Sequence, residues 1–583
     1  MARLPGRKRA RRNRQTIKNQ VNMMKRLMMM AAVVSVLTAS AQTFETAYQA
    51  VRNMKVGWNL GNTLDAHNGS RMTDVVQSET TWGQPVTKPE LMQMMKEAGF
   101  GAIRVPVTWY PHMDNNNKVD AAWMKRVHEV VDYVLDAGMY CILNIHHDTG
   151  ADGDGHTSWL KADETVYAQQ KGRFESLWRQ IAEEFRDYDQ RLLFESYNEM
   201  LDTYNSWCFA SFAAPGNYNA TVAKSAYNAI NSYAQSFVNT VRATGGNNAQ
   251  RNLIVNTYAA SNGIGNWNSH LLDPLKQMNL PDDVVQGHLF FEVHAYPSIE
   301  NMSWMRTEVG QMFKDLNTYL AQKGAPVIIG EWGSSTSADY DSNRSNLITF
   351  IKYFVEQAKA NDFPTFFWMG ISDGMFRQLP AFSQPDLAKA ILQAYYGSSY
   401  EPTLPTLDDF GQITYIVTYH GQWQELNLWD HDASLNDFKA IRVELGEMPR
   451  NNVLSIKVYG ESDGKEQYSS VSQTSLNTTL NFNRSQLGSK IRRVTLQYSQ
   501  TGDYTIKVNR AFLIKNDGTE VQTTINPFWG CTMEMQVEKN DNGVHTMAAT
   551  GSDDGTVYNL SGQRVARPQH GIYIVNGKKV IFK

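Results

Sequence analysis

Short apolar segments alternate with amphipathic helical segments over residues 50–395 of the 583-residue chain. Eight apolar segments have the length and composition of buried strands: 55–60, 102–107, 140–146, 192–197, 253–258, 289–294, 327–331 and 365–369. Strands that alternate with helices indicate βαβ units and a parallel sheet. Eight units predict an α/β fold, a (β/α)8 TIM barrel. An open doubly wound sheet is the alternative, but no Gly-x-Gly-x-x-Gly motif follows an early strand.

The pattern changes after residue 400. Short stretches of alternating polar and apolar residues follow, separated by turn residues, with no long helical pattern. This predicts an all-β, sandwich-like domain. We therefore divide the chain into four parts: a basic lead with a signal peptide (1–41), a barrel domain (42–400), a β-sandwich accessory domain (401–547) and a short β C-terminal module (548–583).

Residues 1–41 carry ten Lys and Arg and no Asp or Glu. Within them, Lys25-Arg26 precede the apolar segment 27–37 and the small residues Ala39-Ser40-Ala41. This is the layout of a secretory signal peptide, and it predicts cleavage near Ala41 and a secreted or cell-surface protein. The apolar segment is too short to span a bilayer, so we expect no integral membrane segment after cleavage.

The rest of the chain is acidic, although the net charge of the whole chain is only −3. An acidic body disfavours nucleic acid as a partner, and a basic nucleic-acid arm is the weaker interpretation of the lead. Three scattered cysteines predict no disulfide framework, and Cys141 is expected to be buried in a strand. Apart from His146-His147-Asp148, no spacing typical of metal ligands is visible. We therefore predict no metal and no cofactor.

Polar and aromatic residues end six of the eight predicted strands. The active site of a (β/α)8 barrel lies at the carboxyl ends of its strands, so these residues should converge on one site. The six ends contain Arg104, Asn144-Ile-His146-His147, Asn198-Glu199, His294-Ala-Tyr296, Glu331-Trp332 and Trp368.

Two glutamates, Glu199 and Glu331, each close an apolar strand. Hydrolysis of a glycosidic bond needs one carboxylic acid to protonate the leaving oxygen and a second carboxylate on the opposite side of the bond. The pair therefore predicts a glycoside hydrolase. A separation of about 5–5.5 Å would indicate a retaining mechanism, and about 6.5–9.5 Å an inverting one. The alternative is two structural carboxylates balanced by Arg or Lys.

The neighbouring residues have groups suited to such a site. Asn198 can donate to a sugar 2-hydroxyl, and Tyr296 can hydrogen-bond the nucleophile. Arg104 can keep the same carboxylate ionised through its charge. Imidazoles can orient hydroxyls or the acid, and the candidates for this are His146 and His294; for His147 a structural role is favoured.

Tryptophans in loops predict a polysaccharide cleft, because pyranose rings stack on flat aromatic faces. Trp368 is expected beside the cleaved bond, and Trp109 and Trp207 in outer subsites, whereas Trp58 lies in a strand and is expected to pack. A carbohydrate-binding role and a purely structural role are equally open for the accessory domain. Its candidate platforms are Trp423, Trp429 and Trp529.

Several motifs resemble glycoside hydrolase family 5, the large endoglucanase family, over residues 51–396. They are Gly57-Trp-Asn-Leu-Gly-Asn-Thr-Leu-Asp65, Ile103-Arg-Val-Pro-Val-Thr-Trp109, Asn144-Ile-His-His147, Asn198-Glu199, His294-Ala-Tyr296 and Gly330-Glu331-Trp-Gly333. The resemblance implies a (β/α)8 barrel and a retaining mechanism, with Glu199 as acid/base and Glu331 as nucleophile. It also implies that Arg104, His146, Asn198, His294, Tyr296 and Trp368 surround the cleaved sugar; Asn62 and His147 of the same motifs are further substrate-binding candidates.

The stretches 79–83 and 241–248 resemble the subgroup that acts on cellulose, mixed-linkage β-glucan and xyloglucan. The C-terminal residues are similar to modules of secreted Bacteroidetes proteins. Together these features predict a secreted, monomeric endo-β-1,4-glucanase whose partner is a β-glucan polysaccharide. The alternatives are a β-mannanase of the same family and a non-catalytic glycan-binding barrel.

Overall fold

The computed structural model describes residues 43–153, 156–336, 344–429, 433–462, 464–523, 525–538, 557–558, 571–575 and 578–582. The predicted signal peptide lies outside the described residues. The chain divides into two compact units. The first contains the chain up to Thr336 together with Ser345–Gly370 and Asp386–Thr403, and the second contains Ile371–Pro385 and the chain from Leu404 onward. The predicted domain limits at residues 401 and 548 stay predictions.

The first unit contains a closed parallel barrel in which eight strands follow the order of the chain. The strands are β1 Val56–Asn59, β2 Ala102–Val105, β3 Tyr140–Asn144, β4 Leu192–Glu195, β5 Leu253–Asn256, β6 Leu289–Ala295, β7 Val327–Trp332 and β8 Thr365–Phe367. The predicted (β/α)8 barrel is confirmed. Most strands end sooner than the apolar pattern predicts, because the last residues of the pattern already belong to the loops that form the site.

Helices precede β1, separate the strands and follow β8, and one of those that follow, Met375–Gln378, belongs to the second unit. They are α1 Ala47–Met54, α2 Val75–Thr80, α3 Pro89–Ala98, α4 Ala121–Asp136, α5 Glu164–Glu184, α6 Ala220–Ala243, α7 Asp273–Gln277, α8 Met302–Tyr319, α9 Arg344–Ala360, α10 Met375–Gln378 and α11 Pro385–Tyr396. Side-chain oxygens of Asp120, Asp163 and Asn219 accept hydrogen bonds from the free backbone N–H groups that open α4, α5 and α6. Such caps explain why these helices begin where they do.

An apolar layer fills the lower part of the barrel. Its residues form one buried cluster with α1: Ala47, Ala50, Val51, Met54, Ala102, Tyr140, Ile142, Leu193, Ile254, Phe290, Ile328 and Phe366. Gly57 belongs to the same level of β1, and a side chain there would overlap the ring of Phe366. Helix α1 therefore packs against the interior of the barrel at the end away from the predicted site.

A polar layer lies directly above the apolar one. Residues two positions apart on a strand point to the same side, so the next inward-facing residues follow from the sequence. They are Asn59, Arg104, Asn144, Glu195, Asn256 and Glu292, and all six are fully buried. This layer forms the base on which the site is built.

A β-bulge interrupts β7 at the level of the polar layer. Val293 of β6 pairs with Ile329, but His294 pairs with Glu331, so Gly330 is the extra residue. Bulges near active sites re-aim side chains. Here the bulge directs Glu331 toward the site, while the missing side chain of Gly330 leaves room for Glu292.

The second unit contains two antiparallel sheets that share one hydrophobic core. The strands of the first sheet are β10 Glu425–Trp429, β11 Ala433–Ser434, β13 Leu454–Ser462, β14 Lys465–Ser472, β16 Lys490–Tyr498 and β19 Asn526–Trp529. The strands of the second are β9 Gln412–Tyr419, β12 Phe438–Leu445, β15 Asn477–Asn481, β17 Tyr504–Lys515, β18 Glu520–Gln522 and β20 Cys531–Glu538. Helix α12, Arg484–Leu487, precedes β16.

A small sheet of three strands follows, with β21 Val557–Tyr558, β22 Gly571–Val575 and β23 Lys578–Phe582. The predicted all-β, sandwich-like region and short β module are therefore confirmed. None of the helices in the described residues is long and apolar enough to cross a membrane.

The tryptophans of the second unit differ in exposure. Trp429 is buried on β10 in the core of the unit, so its prediction as a sugar platform is wrong. Trp423 lies between β9 and β10 and is 49% exposed. The side chain of Trp529 lies outside the described part of the chain.

Candidate active site

Arg104 on β2 organises the polar layer. Its Nε and Nη2 donate hydrogen bonds of 2.7 and 2.8 Å to the two carboxylate oxygens of Glu195. Its Nη1 donates to Glu331 Oε1 at 2.8 Å, and Nη2 also donates to Asn198 Oδ1 at 2.9 Å. Burial disfavours the charge, but Glu195 and the other nearby carboxylates outweigh it and hold the pKa of Arg104 well above its usual value. Arg104 thus stays charged and fixes two predicted site residues.

Glu195 anchors the guanidinium from below. Besides the two bonds from Arg104, it accepts hydrogen bonds from Asn144 Nδ2 at 3.0 Å and Asn256 Nδ2 at 3.4 Å. Burial disfavours its charge, but Arg104 and the bond from Asn144 hold the pKa of Glu195 below its usual value. The buried ion pair is therefore well supplied with hydrogen bonds, as a charge in a barrel interior requires.

Glu331 at the end of β7 has a defined donor on each oxygen. Arg104 Nη1 lies 2.8 Å from Oε1, and the hydroxyl of Tyr296 donates to Oε2 at 2.7 Å. His294 Nδ1 lies 3.5 Å from the same Oε2. The carboxylate is almost fully buried and is held in one orientation.

Glu199 lies just beyond β4 and is more exposed than Glu331, with 23% of its side chain accessible. Its Oε1 lies 2.8 Å from His294 Nδ1. Burial lowers the pKa of His294, but the charge of Glu331, the hydrogen bond with Glu199 and the proximity of Glu292 outweigh it and raise the pKa to about 10. The imidazole is therefore positively charged at neutral pH, and its Nδ1–H donates to Glu199.

The two carboxylates face each other closely. One oxygen of Glu199, one oxygen of Glu331 and a ring nitrogen of His294 all lie within 4.8 Å of one another. These oxygens lie nearer to each other than the carboxyl groups of inverting hydrolases, which are about 6.5–9.5 Å apart, and this favours the retaining arrangement.

Trp368 and His146 form a wall beside the carboxylates. Their rings are parallel within 7°, with centroids 5.9 Å apart. The indole also passes close to Gly61, where an added Cβ would lie 2.9 Å from its edge. Burial, and then His147, hold the pKa of His146 well below its usual value, so this imidazole is neutral. The indole is partly exposed, which leaves a face for a sugar ring.

Asn198 immediately precedes Glu199 and is buried. Its Oδ1 accepts from Arg104, which directs the amide nitrogen away from the guanidinium. The side chain can therefore donate a hydrogen bond to a substrate hydroxyl, as the sequence predicts.

One half of the rim is formed by aromatic rings from the loops after β1, β2 and β3. They contact one another edge-on or tilted, and they belong to His67, Trp82, Tyr110, His147 and His156. Burial, and then neighbouring histidines, lower the pKa of His67 to about 4 and that of His147 to about 3. The cluster is therefore neutral, and His147 packs within it as the structural interpretation expects.

The loops after β4, β5 and β6 line a cavity of about 430 Å³ on the other half of the rim. Glu199, His294 and Tyr296 form one wall of this cavity, and Trp207 and the backbone around Ala259–Ile264 form the rest. Trp207 is 42% exposed, and Trp267 nearby is 54% exposed. The predicted position of Trp207 in an outer subsite therefore agrees with its exposure.

One predicted substrate-binding residue differs from expectation, and a second is untested. Trp109 is fully buried, with its Nε1 donating to the backbone oxygen of Asn144, so its prediction as a sugar platform is wrong. Asn62 has a positive φ of 59°, and its backbone N–H donates to Asp65 Oδ2. The observed hydrogen bond therefore belongs to a turn, and substrate binding by the side chain of Asn62 stays a prediction.

Sequence reasoning missed Glu195 and Glu292, and it named Asp148 only as part of a possible metal-ligand spacing. Asp148 accepts hydrogen bonds from the backbone N–H groups of Trp109 and Tyr110 and so ties two loops together. A signal for the other two was available, since each is a lone charge within an otherwise apolar strand. Such a charge is rarely buried without a partner.

Two groups of side chains have the spacing of metal ligands within the described residues. One is Asp65 with His146 and His147, and the other is Glu199 with His294 and Glu331. In the second group, His294 Nδ1 already pairs with Glu199 and lies near Glu331. The two oxygens of Glu331 accept hydrogen bonds from Arg104 and Tyr296. The prediction of a metal-free site stays a prediction.

Known proteins are similar to this chain. The profile of the family Cellulase (glycosyl hydrolase family 5) matches residues 65–374. The chain belongs to glycosyl hydrolase family 5. This confirms the predicted family.

The relatives of this family 5 chain include Endoglucanase A of Clostridium longisporum, which is 34% identical over 57% of this chain and 61% of its own length. Endoglucanase B of Ruminococcus albus is 33% identical over 57% of this chain and 74% of its own length. The chain thus spans less than two thirds of the first relative.

Solved structures are also similar. A GH5-4 broad specificity endoglucanase from an uncultured bacterium is 60% identical, with a TM-score of 0.60 over 62% of this chain and 98% of its own. A family 5 enzyme of Prevotella bryantii B14, solved with a xyloglucan tetradecasaccharide, is 42% identical, with a TM-score of 0.54 over 60% of this chain and 99% of its own.

Proposed function

We propose that the protein is a secreted, monomeric, retaining endo-β-1,4-glucanase that hydrolyses cellulose, mixed-linkage β-glucan and xyloglucan. The observation that carries the mechanism is the pair of carboxylates, Glu199 and Glu331, because one oxygen of each lies within 4.8 Å of the other. This spacing suits a nucleophile and an acid that act on the same bond.

In the first step, a carboxylate oxygen of Glu331 attacks the anomeric carbon, and the bond from that carbon to the leaving oxygen breaks. Glu199 gives its proton to the leaving oxygen. Arg104 and Tyr296 hold Glu331 for the attack, since one donates to each oxygen. Asn198 donates to the 2-hydroxyl, a contact that strengthens in the transition state.

In the second step, a water molecule attacks the same carbon and gives a proton to Glu199. The bond between the carbon and Glu331 breaks, which restores both carboxyl groups and retains the anomeric configuration. The same side chain thus serves first as acid and then as base. Its greater exposure, compared with Glu331, allows water to reach it once the leaving sugar has departed.

The position of the acid gives the substrate a direction. The leaving sugar must lie beside Glu199, so the cavity that contains Glu199 and Trp207 receives the aglycone part of the chain. The sugar that is attacked stacks on Trp368, and the glycone part continues along the aromatic cluster around His67. A cleft with aromatic surfaces on both sides suits internal cleavage of a polysaccharide.

The substrate class follows from the family. The relatives are named endoglucanases, and one similar structure was solved with a xyloglucan oligosaccharide. Secretion follows from the layout of residues 1–41. The exposed Trp423 makes the accessory domain, residues 401–547, a candidate for weak contact with insoluble glucan.

The test is reducing-sugar release by residues 42–583 from carboxymethylcellulose, barley β-glucan, xyloglucan and mannan. Glu199→Gln and Glu331→Ala serve as inactive controls, and proton NMR of the first product gives its anomeric configuration. We expect release from the glucans, initial formation of the β-anomer and a loss of at least about 10²-fold in both variants.

Three other outcomes would each contradict part of the proposal. Release from mannan alone would keep the mechanism and overturn the substrate class. Initial formation of the α-anomer would contradict the retaining mechanism. No release from any polysaccharide would favour a glycan-binding barrel without activity.

A further inference from the structure

Glu292 is a buried carboxyl group that the mechanism above does not use. It lies on β6, two residues before His294, and is fully buried. Glu195 in the same polar layer accepts hydrogen bonds from Arg104, Asn144 and Asn256. Neither oxygen of Glu292 accepts a hydrogen bond of normal geometry from a described residue. A buried carboxyl in this state costs stability, which calls for an explanation in terms of function.

The nearest donors identify what Glu292 faces. Its Oε1 lies 3.5 Å from His294 Nε2 and 3.4 Å from Arg104 Nε. Arg104 Nε is already engaged with Glu195 at 2.7 Å. His294 Nε2, by contrast, is buried and makes no hydrogen bond to any of the described residues. Two buried groups without other partners thus face each other at a distance that a small movement would close.

The backbone makes room for this carboxyl. Gly330 is the bulged residue of β7, and a Cβ there would overlap Oε1 and Cδ of Glu292 and lie 3.0 Å from its Cγ. The bulge that aims Glu331 at the substrate is therefore also the space that Glu292 occupies. The carboxyl cannot move toward β7, and this keeps it under His294.

We propose that Glu292 is a positioning residue for the acid/base: it accepts the hydrogen of His294 Nε2 and thereby fixes the ring with Nδ1 toward Glu199. The inference rests on the proposed function, because it concerns the step in which Glu199 protonates the leaving oxygen. An imidazole that is fixed at Nε2 can hold one oxygen of Glu199 and leave the other free for the substrate.

The charges around the pair agree with this role. Burial, and then the charge of Glu195, raise the pKa of Glu292 to about 8, so its carboxyl is protonated at neutral pH and its carbonyl oxygen can accept. His294 is charged at neutral pH, so both of its nitrogens carry a hydrogen to donate. The other ionisable groups that face the pair are Arg104, beside Glu292, and Glu199 and Glu331, beside His294 Nδ1.

The test compares two substrates that differ in their need for an acid. Cleavage of barley β-glucan needs Glu199 to protonate the leaving oxygen, whereas 2,4-dinitrophenyl β-cellobioside releases a stable anion without it. Glu292→Met keeps an unbranched side chain in the space beside Gly330 but cannot accept a hydrogen bond. We expect kcat/KM on β-glucan to fall about tenfold, a part of the ~10²–10⁴ that a general acid supplies. On the aryl substrate we expect less than about a twofold change, since no acid acts there.

Two further variants distinguish the hydrogen bond that Glu292 accepts from the contribution of its side chain to packing. Glu292→Gln keeps a carbonyl oxygen at the same place and should stay within about threefold of the wild type on both substrates. Glu292→Asp draws the oxygen back by one methylene, so it should show the same selective loss as Glu292→Met. It also keeps the test valid should the Met variant fail to fold.

The matched control is Asp283→Asn, which removes the buried ion pair with Arg242 (2.8 Å) on α6, remote from the site residues. It should lower thermal stability and change both substrates equally. Equal losses on both substrates in Glu292→Met and Glu292→Asp, or no loss in either, would overturn the inference. A wild-type enzyme that cleaves neither substrate would instead overturn the proposed function, and this inference with it.

Discussion

Gly330→Ala adds a single methyl group, and the structure predicts that it lowers both activity and stability. The methyl group would overlap the carboxyl of Glu292, and both residues are enclosed in the barrel. A normal contact between a methyl carbon and these atoms would require them to separate by roughly 2 Å. The movement must be taken up by Glu292 or by the bulge that carries Glu331.

Both ways of relieving the overlap have a measurable cost. Overpacking of a rigid core lowers the free energy of unfolding by about 1–3 kcal/mol, and sometimes by more. A displacement of the nucleophile by even about 1 Å can lower the rate about 10²-fold. We therefore expect Gly330→Ala to lower kcat at least about 10²-fold, whereas its midpoint of thermal unfolding falls by only a few degrees.

A double variant tests the cause. Glu292→Ser removes the atoms that the methyl group meets, so Gly330→Ala with Glu292→Ser should unfold at a higher temperature than Gly330→Ala alone. The assay is thermal unfolding followed by circular dichroism for all four members of the cycle, together with kcat on barley β-glucan. A coupling of at least about 1 kcal/mol is expected for groups in direct contact. Wild-type activity in Gly330→Ala, or independent effects in the cycle, would refute the reasoning.

Three further variants follow from the same geometry. Arg104→Met leaves Glu195 buried without its cation, so we expect loss of activity and a free energy of unfolding lower by about 3–5 kcal/mol, measured by thermal melting. Folding lowers the pKa of His67 and His147. Below about pH 6.5 the unfolded state therefore binds more protons than the folded state. The free energy of unfolding should fall as the pH drops from there toward pH 4. His67→Asn should make the melting temperature less dependent on pH in that window, and an unchanged dependence would contradict this. Trp267→Ala should raise KM on polysaccharide severalfold with little change on an aryl cellobioside; equal changes would place this tryptophan outside the aglycone path.

The sequence predicted the barrel well because its eight strands are buried on both faces. Continuous apolar runs mark such strands, and the observed β3 and β6 begin at the residues where the pattern begins. The two carboxylates and their partners also followed from the sequence, since the strand ends of a barrel must converge. The pairing of Tyr296 and Arg104 with the two oxygens of Glu331 is an instance where a role inferred from residue type agrees with an observed hydrogen bond.

The misses have physical causes. Trp109 follows a strand, as Trp368 does, but it packs inward and satisfies its indole N–H on the backbone of Asn144. Position along the chain does not distinguish a loop that faces the cleft from one that folds beneath it. The bulge at Gly330 was invisible as well, because strict alternation assigns a residue and its neighbour to opposite sides, and only a register shift brings Glu331 inward.

The polar layer places several ionisable side chains in the interior of the barrel. Arg104, Glu195 and Glu292 all lie away from water, and replacing such a group by apolar residues of equal volume is often neutral or stabilising. The apolar layer below, closed by α1, supplies the burial that offsets this cost. If stability alone had shaped the barrel, the upper layer would be apolar too. Instead, Arg104 donates to Glu331, Glu195 holds Arg104 in place, and Glu292 lies 3.5 Å from His294. This indicates that these groups are kept for the orientation of the site rather than for the fold.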